Sequence, residues 1–290
     1  TTLKETLSSI RINMKFVTII IINYNKAPYL KEAIDSALSQ NYQNKEILIV
    51  DDGSTDNSRE VINSYANTAE VRIIYQENNG VIYTRNKAIN EARGELIVQL
   101  DGDDVLLDGF ITNTVHQFDD NTSKIVYGST VHFGEKNGPW NLGEYTLEKQ
   151  LVTNQIVISA MFSKKDFIKV GGYDQYFELG YEDWDFWLNL ISSGVEVVQL
   201  DIPMLKYRIL KNSRNTVATE NNIKKIRKRI YWKYVSLYKE NMHDALNLTW
   251  DILNYKEIEK SSQQLLNSRD YKIGKLILLP FRIIKNKLMN

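Results

Sequence analysis

No cysteine occurs in the 290 residues. That removes disulfide staples, thiolate metal centres and cysteine nucleophiles together. Histidine is nearly as scarce: His116, His132 and His243 lie far apart and form no HExxH pair, which argues against a histidine-based zinc centre. Net charge is missing too, with 36 basic residues against 36 acidic ones. No global field therefore draws the chain to nucleic acid or membrane, and no nucleic-acid partner is expected. No apolar run nears the ~18 residues that span a bilayer. The first thirteen residues, TTLKETLSSIRIN, lack the apolar core of a signal peptide. They read as an extension or tag before a start at Met14, and the whole reads as cytoplasmic. Absent as well are the GxxxxGK[ST] phosphate loop, GxGxxG, the GxSxG elbow and EF-hand spacing.

What is there is a rhythm. Phe16 to Ile22, FVTIIII, is a continuous β-branched run of the kind buried on both faces of a parallel sheet. A polar turn comes next, then helical spacing at Leu30, Ile34 and Leu38. The scheme repeats with Ile47 to Val50 and a helix capped by Thr55 or Asp56, then with VRIIYQ and GVIYTRNKAINEARG, and ends in a fourth strand, ELIVQL. Such alternation predicts right-handed βαβ units, hence an α/β fold with a mostly parallel sheet flanked by helices. Ligands bind such sheets at the strands' carboxyl ends. That rim would carry residues 23–25, 51–56 and 101–104. After about Asp120 the strands predicted are shorter and mixed, GPWNLGEY reads as loop, and from Thr216 the chain turns helical and polar.

The concentrated chemistry is carboxylate. In ELIVQLDGDDVLL, Asp101, Asp103 and Asp104 crowd into four positions. Asp-x-Asp at a strand end puts two carboxylates on one side of the chain, and Gly102 leaves room for a tight turn and a ligand. Hard divalent cations are held by such groups together with substrate phosphates; a solvated, capped turn is the plainer alternative. VDDGSTD (Val50 to Asp56) is likewise a good turn, yet it carries two successive Asp, and a carboxylate there can accept from the N3–H of a pyrimidine, selecting uracil. Arg85 stands near a helix start, where it could grip phosphate. In YEDWDFW, Glu182, Asp183 and Asp185 sit among large rings. That is the pattern of an amphipathic helix, and also a setting for a raised pKa and general-base work.

Four stretches, FVTIIIINYNKAPYLKEAIDSALSQ, EILIVDDGSTDNS, NNGVIYTRNKAINEARGELIVQLDGDD and GGYDQYFELGYEDWDFWLNL, occur in this order. Over about Met14 to Arg208 the chain resembles the family-2 nucleotide-sugar glycosyltransferases of GT-A fold. The resemblance implies inverting transfer of a hexose from a UDP-sugar to a hydroxyl of a saccharide, glycosylated or lipid-linked acceptor. Ile22, Asn23, Tyr24 and Asp52 would surround the uracil, with Arg85 near the base and diphosphate. Asp101 and Asp103 would form the Asp-x-Asp motif, with Gly102 between them on the nucleotide. Asp103, Asp101 or Asp104 would touch Mn2+ or Mg2+. Asp183 would be the general base, with Glu182 positioning the donor sugar or acceptor. One departure is Leu210, where many relatives carry a His near the metal or diphosphate; Lys211 or Arg214 would supply the positive charge instead.

These readings divide the chain into the extension 1–13, a UDP-binding half 14–118, an acceptor half 119–215 and a C-terminal helical extension 216–290. From Tyr271 the tail is basic and apolar, with Pro280 as a kink. It suits contact with the inner face of a membrane and suits equally a homodimer or its own domain. A catalytically silent UDP-sugar-binding scaffold is the competing class. A sugar-1-phosphate nucleotidyltransferase would need a Gly-rich N-terminal phosphate loop, which INYNKAPYL is not.

Overall fold

The structure, a computed structural model, describes residues 14–119, 122–140, 143–178, 180–211 and 220–242, with two single helical positions at 264 and 267. The first thirteen residues, Arg214 and the tail from Tyr271 lie outside the described residues. The chain divides into two units, Thr1–Tyr238 and Lys239–Asn290, and the first of them carries the sheet.

Strand β1 (Val17–Asn23) is buried along its whole length, as is β2 (Lys45–Asp52). Both faces are covered, so apolar residues run without alternation through β1 and through Ile47–Val50 of β2. β1 pairs in parallel with β2 on one side and with β4 (Leu96–Asp101) on the other, while β3 (Val71–Gln76) extends the sheet beyond β2. Helix α1 (Ala27–Leu38) turns Leu30, Ala33, Ile34 and Ala37 to the sheet, with proline in its first turn, where no N–H is lost. Helix α2 (Ser58–Asn63) and helix α3 (Val81–Glu91) complete the repeating units. Asp56 accepts from the Ser58 N–H at 3.0 Å at the start of α2.

The remaining strands make the sheet mixed. Its order is β3-β2-β1-β4-β8-β6-β9-β5, with β7 added on β6. β5 is Val105–Leu106, β6 Lys124–Gly134, β7 Gly138–Trp140, β8 Met161–Ser163 and β9 Glu196–Ile209. Val105 and Leu106 pair with Lys206 and Leu205, and helix α4 (Phe110–Val115) follows them. GPW pairs with β6 as a strand. Of the late strands β7 and β8 are short as expected, at 3 residues each, whereas β6 runs 11 residues and β9 14. β5 matters most for function: by pairing with β9 it carries Asp103 and Asp104 up against Arg208.

Short helices α5 (Leu147–Val152) and α6 (Lys164–Val170) precede α7 (Glu182–Ser192). α7 buries Trp184, Phe186, Trp187 and Leu188, and Phe162 meets the Phe186 and Trp187 rings edge-on. Helices α8 (Glu220–Lys233) and α9 (Val235–Asn241) come last. No helix among the described residues is long and apolar enough to cross a membrane.

Candidate active site

Register brings the predicted rim together. Ile22 is level with Asp101 and Asn23 with Asp51, so the ends of β1, β2 and β4 open on one cleft. The cleft holds about 720 Å³, and Ile22, Tyr24, Asp52, Arg85 and residues 101–104 all line it. Asn23 does not. Its side chain is buried and donates to Asp51 Oδ1 at 2.7 Å and Ser54 Oγ at 2.9 Å, so it braces the VDDGSTD loop from behind. Asp52 faces the cleft with both oxygens engaged. Oδ1 accepts from Gln76 Nε2 (2.7 Å) and the Asn79 N–H (2.9 Å), and Oδ2 from the Gly80 N–H (3.0 Å). It thereby ties the residue 78–80 loop to the sheet just before α3. Gly102 is needed for close approach: a Cβ there would stand 3.1 Å from Asn23 Oδ1 and 3.2 Å from the Ile22 carbonyl oxygen.

The three crowded carboxylates do not converge on one point. Asp101 Oδ1 accepts from Arg85 at 2.8 Å. Asp103 Oδ2 meets Lys26 Nζ at 2.5 Å. Asp104 is buried and accepts from the Arg208 N–H at 2.8 Å, its other oxygen lying buried with no hydrogen-bond partner among the described residues. Among the described residues no group of three or more His, Asp or Glu side chains is gathered to hold a metal ion. Each carboxylate has instead found a separate cation or N–H, which is how like charges this close coexist. Burial raises the Asp103 pKa, and Asp101 adds to the rise against Lys26. Asp104 is raised well above the ordinary range by burial and then by Asp101 and Asp103. Carboxylates so placed gain from added positive charge. An all-oxygen donor set of one or two carboxylates facing a cleft suits a hard cation that also holds substrate phosphates. In that limited sense the residues fit Mn2+ or Mg2+.

Arg85 is the hinge of the arrangement. It is fully buried in α3, with Asp101 on one side and Glu182 Oε1 3.6 Å from its Nε on the other. Burial opposes its charge, but Asp101 and Glu182 outweigh that and raise its pKa. It is thus committed to carboxylates within the protein rather than standing free for phosphate. Through it the rim of the parallel half reaches α7. There Tyr181 adopts φ +63°, an unusual left-handed conformation for a non-glycine residue, and turns the chain into Glu182 and Asp183. Asp183 Oδ2 accepts from Asn154 Nδ2 at 2.8 Å and Oδ1 from the Trp184 N–H at 2.8 Å. Burial, with the Glu182 charge second, pushes its pKa up to about 7.

Several partners escape sequence reasoning. Arg208 lines the cleft beside Asp103 and Asp104. Its Nε donates to the Asp103 carbonyl at 2.8 Å, its guanidinium pairs with Glu32, and it stacks over Phe133 at 4.0 Å. Lys211 instead lies near Glu135, outside the cleft wall. Lys26 and Asn154 gave no signal beyond lying in polar loops. Lys233 of α8 pairs with both Asp174 (2.9 Å) and Asp185 (2.8 Å).

A sequence model of Glycosyl transferase family 2 matches residues 18–182, and one for the N-terminal domain of galactosyltransferase matches residues 157–213. Glycosyltransferase GlyG of Streptococcus pneumoniae is 30% identical over 153 residues, 52% of this chain and 50% of GlyG. The chain thus spans half the length of that relative. The Escherichia coli UDP-Glc:alpha-D-GlcNAc-diphosphoundecaprenol beta-1,3-glucosyltransferase WfaP is 27% identical over 254 residues, 78% of this chain and 92% of WfaP. Among solved structures, S. aureus TarS 1-349 with UDP-GlcNAc superposes with a TM-score of 0.63 at 16% identity, covering 78% of this chain and 73% of TarS. The mannosyltransferase PcManGT from Pyrobaculum calidifontis, with GDP-Man and Mn2+, gives 0.59 at 17%, covering 90% and 83%. At such identities the likeness is one of fold, and the fold is GT-A.

Proposed function

The chain belongs to glycosyl transferase family 2, and from that premise we propose that it moves a hexose from a UDP-sugar to an acceptor hydroxyl by one inverting displacement. The observation that carries this is the buried Arg85, which joins the Asp101 rim to the Glu182–Asp183 pair. The strand-end cleft and the base are thereby two ends of one site. WfaP carries UDP-Glc in its name, which supports uridine in the donor.

In this reading residues 14–118 hold the nucleotide and 119–215 the acceptor. Ile22 and Tyr24 flank the base, and Asp52 holds the loop beneath it. Asn23 acts from behind, keeping Asp51 and Ser54 in place. Asp103 and Asp101 would hold Mn2+ or Mg2+ together with the donor diphosphate, while Asp104 secures the Arg208 strand at their back. Bound there, the ion supplies Lewis-acid charge for the departing UDP. Asp183 takes the proton of the acceptor hydroxyl as its oxygen attacks the anomeric carbon from the face opposite UDP. The new C–O bond forms, the bond to UDP breaks, and the proton rests on Asp183. No enzyme nucleophile is required. Glu182, neutralised by Arg85, keeps the base in register. For an acceptor carried on a lipid, residues 216–290 would supply the contact with the membrane, which co-sedimentation with anionic vesicles reads.

A panel of UDP- and GDP-sugars, read as nucleotide release with Mn2+ with and without saccharide acceptors, tests the proposal. Transfer should be UDP-dependent and should fall by two orders of magnitude or more in Asp183→Asn, the scale of general-base catalysis. Undiminished transfer in Asp183→Asn and Asp103→Ala would sink it.

A further inference from the structure

Away from the donor cleft a second cavity of about 680 Å³ opens beside β6 and β9. Its origin is a fault in strand pairing. The two strands run in step from Lys124–Glu196 to Gly128–Leu200, then slip, so that Ser129 faces Pro203 and Thr130 faces Leu205. The extra residues of β9 bow it, as bulges do. Gly128 is what the bow allows: a Cβ there would stand 2.5 Å from both the Ile202 carbonyl oxygen and Met204 Cγ.

Two residues of the cavity wall, Tyr127 and Thr130, carry hydroxyls that are buried and have no hydrogen-bond partner among the described residues. The two residues are 2% and 3% exposed. A buried hydroxyl left unanswered costs the fold the full desolvation of that group. Two in one cavity describe a site whose partner comes from outside. The rest of the wall says what that partner is. Glu144 and Asp201 bring carboxylates and Trp140 an indole, and among the described residues no Lys, Arg or His lines it. Gln199 pins the mouth, donating to the Gly143 carbonyl at 3.0 Å and accepting from the Tyr145 N–H at 2.7 Å. Such a wall repels anions. It offers acceptors, hydroxyls and one aromatic ring, the groups that meet sugar hydroxyls and the apolar face of a pyranose. The Trp140 ring lies 5.4 Å from that of Tyr207, and Tyr207 lines the donor cleft. The two cavities are therefore one aromatic contact apart.

We propose that this cavity is a saccharide subsite that grips a neutral hexose unit of the acceptor, one or more sugars away from the hydroxyl that reacts. It rests on the reading of the chain as a glycosyltransferase with a saccharide acceptor. Glycan length would then count: acceptors long enough to reach Trp140 are held, and monosaccharides are not.

The test fills the donor cleft of the full chain with UDP and Mn2+ and titrates it with cellotriose, N,N′-diacetylchitobiose and the anionic trigalacturonate, read by saturation-transfer NMR. At least one neutral oligosaccharide should bind and trigalacturonate should not. Tyr127→Phe and Asp201→Asn should each weaken that binding about tenfold, the scale of one lost hydrogen bond to a ligand. Tyr127→Phe should be at least as heat-stable as the parent, since it removes an unanswered hydroxyl. The proposal is overturned if no neutral oligosaccharide binds, if trigalacturonate binds as well, if both variants bind like the parent, or if Tyr127→Phe melts lower. Failure of the parent chain to bind UDP would sink the donor reading alone, because the same titration without nucleotide still decides the subsite.

Discussion

At Asp183 burial and the Glu182 charge act in the same direction, lifting the carboxyl to about 7 from an ordinary 3.8. The raised pKa has two consequences. A base must be deprotonated to work, so kcat/KM should rise about tenfold per pH unit below 7 and level off above it, which rates measured from pH 5 to 9 would show. A limb centred near 4 would mean that Asp183 titrates like a surface carboxylate and that the site is not as drawn. Stability runs the other way. Between 3.8 and 7 the folded chain keeps a proton that the unfolded chain releases, so stability falls as pH rises through that window and the loss is complete above it. Asp183→Asn removes the charge. Its melting temperature should exceed the parent's at pH 8 and match it near pH 4, while transfer is lost at both. A melting temperature that is lower at pH 8 would contradict this account.

Elements decide where such residues point. α7 carries both Glu182 and Asp183, and the end of α8 holds it: Lys233, its last residue, pairs with Asp185, and Tyr234 in the turn that follows donates through Oη to the Asp185 carbonyl and Oδ1 at 2.8 and 2.9 Å. Asp185 is 1% exposed, so removing its cation leaves a buried charge, although Lys233 itself is partly hydrated and the effect is reduced for that reason. Lys233→Met should lower unfolding free energy by about 1–2 kcal/mol in urea titrations. Adding Asp185→Asn should restore part of it. An additive double variant would show that the pair does not couple. None of this was legible in IKKIRKRIYWKYV, which reads as a basic polar helix. The partners lie 48 positions apart, and local pattern carries no information about such pairings. What local pattern does carry is burial on both faces. FVTIIII, KEILIV and ELIVQL betrayed the parallel half, and with it the rim, without any long-range knowledge. The direction of each rim side chain was less accessible. Asn23 turns inward to meet Asp51 and Ser54 while Tyr24 turns outward, and Asp104 turns toward a backbone N–H 104 residues away.

Over the molecule as a whole, the parallel strands and the mixed strands meet at a polar seam. Asn86 binds the Tyr173 backbone in both directions, at 2.9 and 2.8 Å, and Gln99 meets the Tyr173 hydroxyl. Arg85 lies in the same seam with a carboxylate of each half beside it. Removing the arginine leaves Glu182 a buried charge without its cation, a loss of about 3–5 kcal/mol, whereas Asp101, a third exposed in the cleft, is screened by water and adds little. Arg85→Met should therefore melt well below the parent, and Glu182→Gln added to it should recover part of the loss. A second readout separates positioning from mere stability. The Arg85 charge holds the Asp183 pKa down, so in Arg85→Met the rising limb of kcat/KM should move to higher pH, measured at a temperature where the variant is folded. If the limb stays near 7 while stability falls, Arg85 is a structural rivet and nothing more. If it moves, the seam also sets the proton affinity of the base, and the strand-end rim and α7 are electrostatically one site.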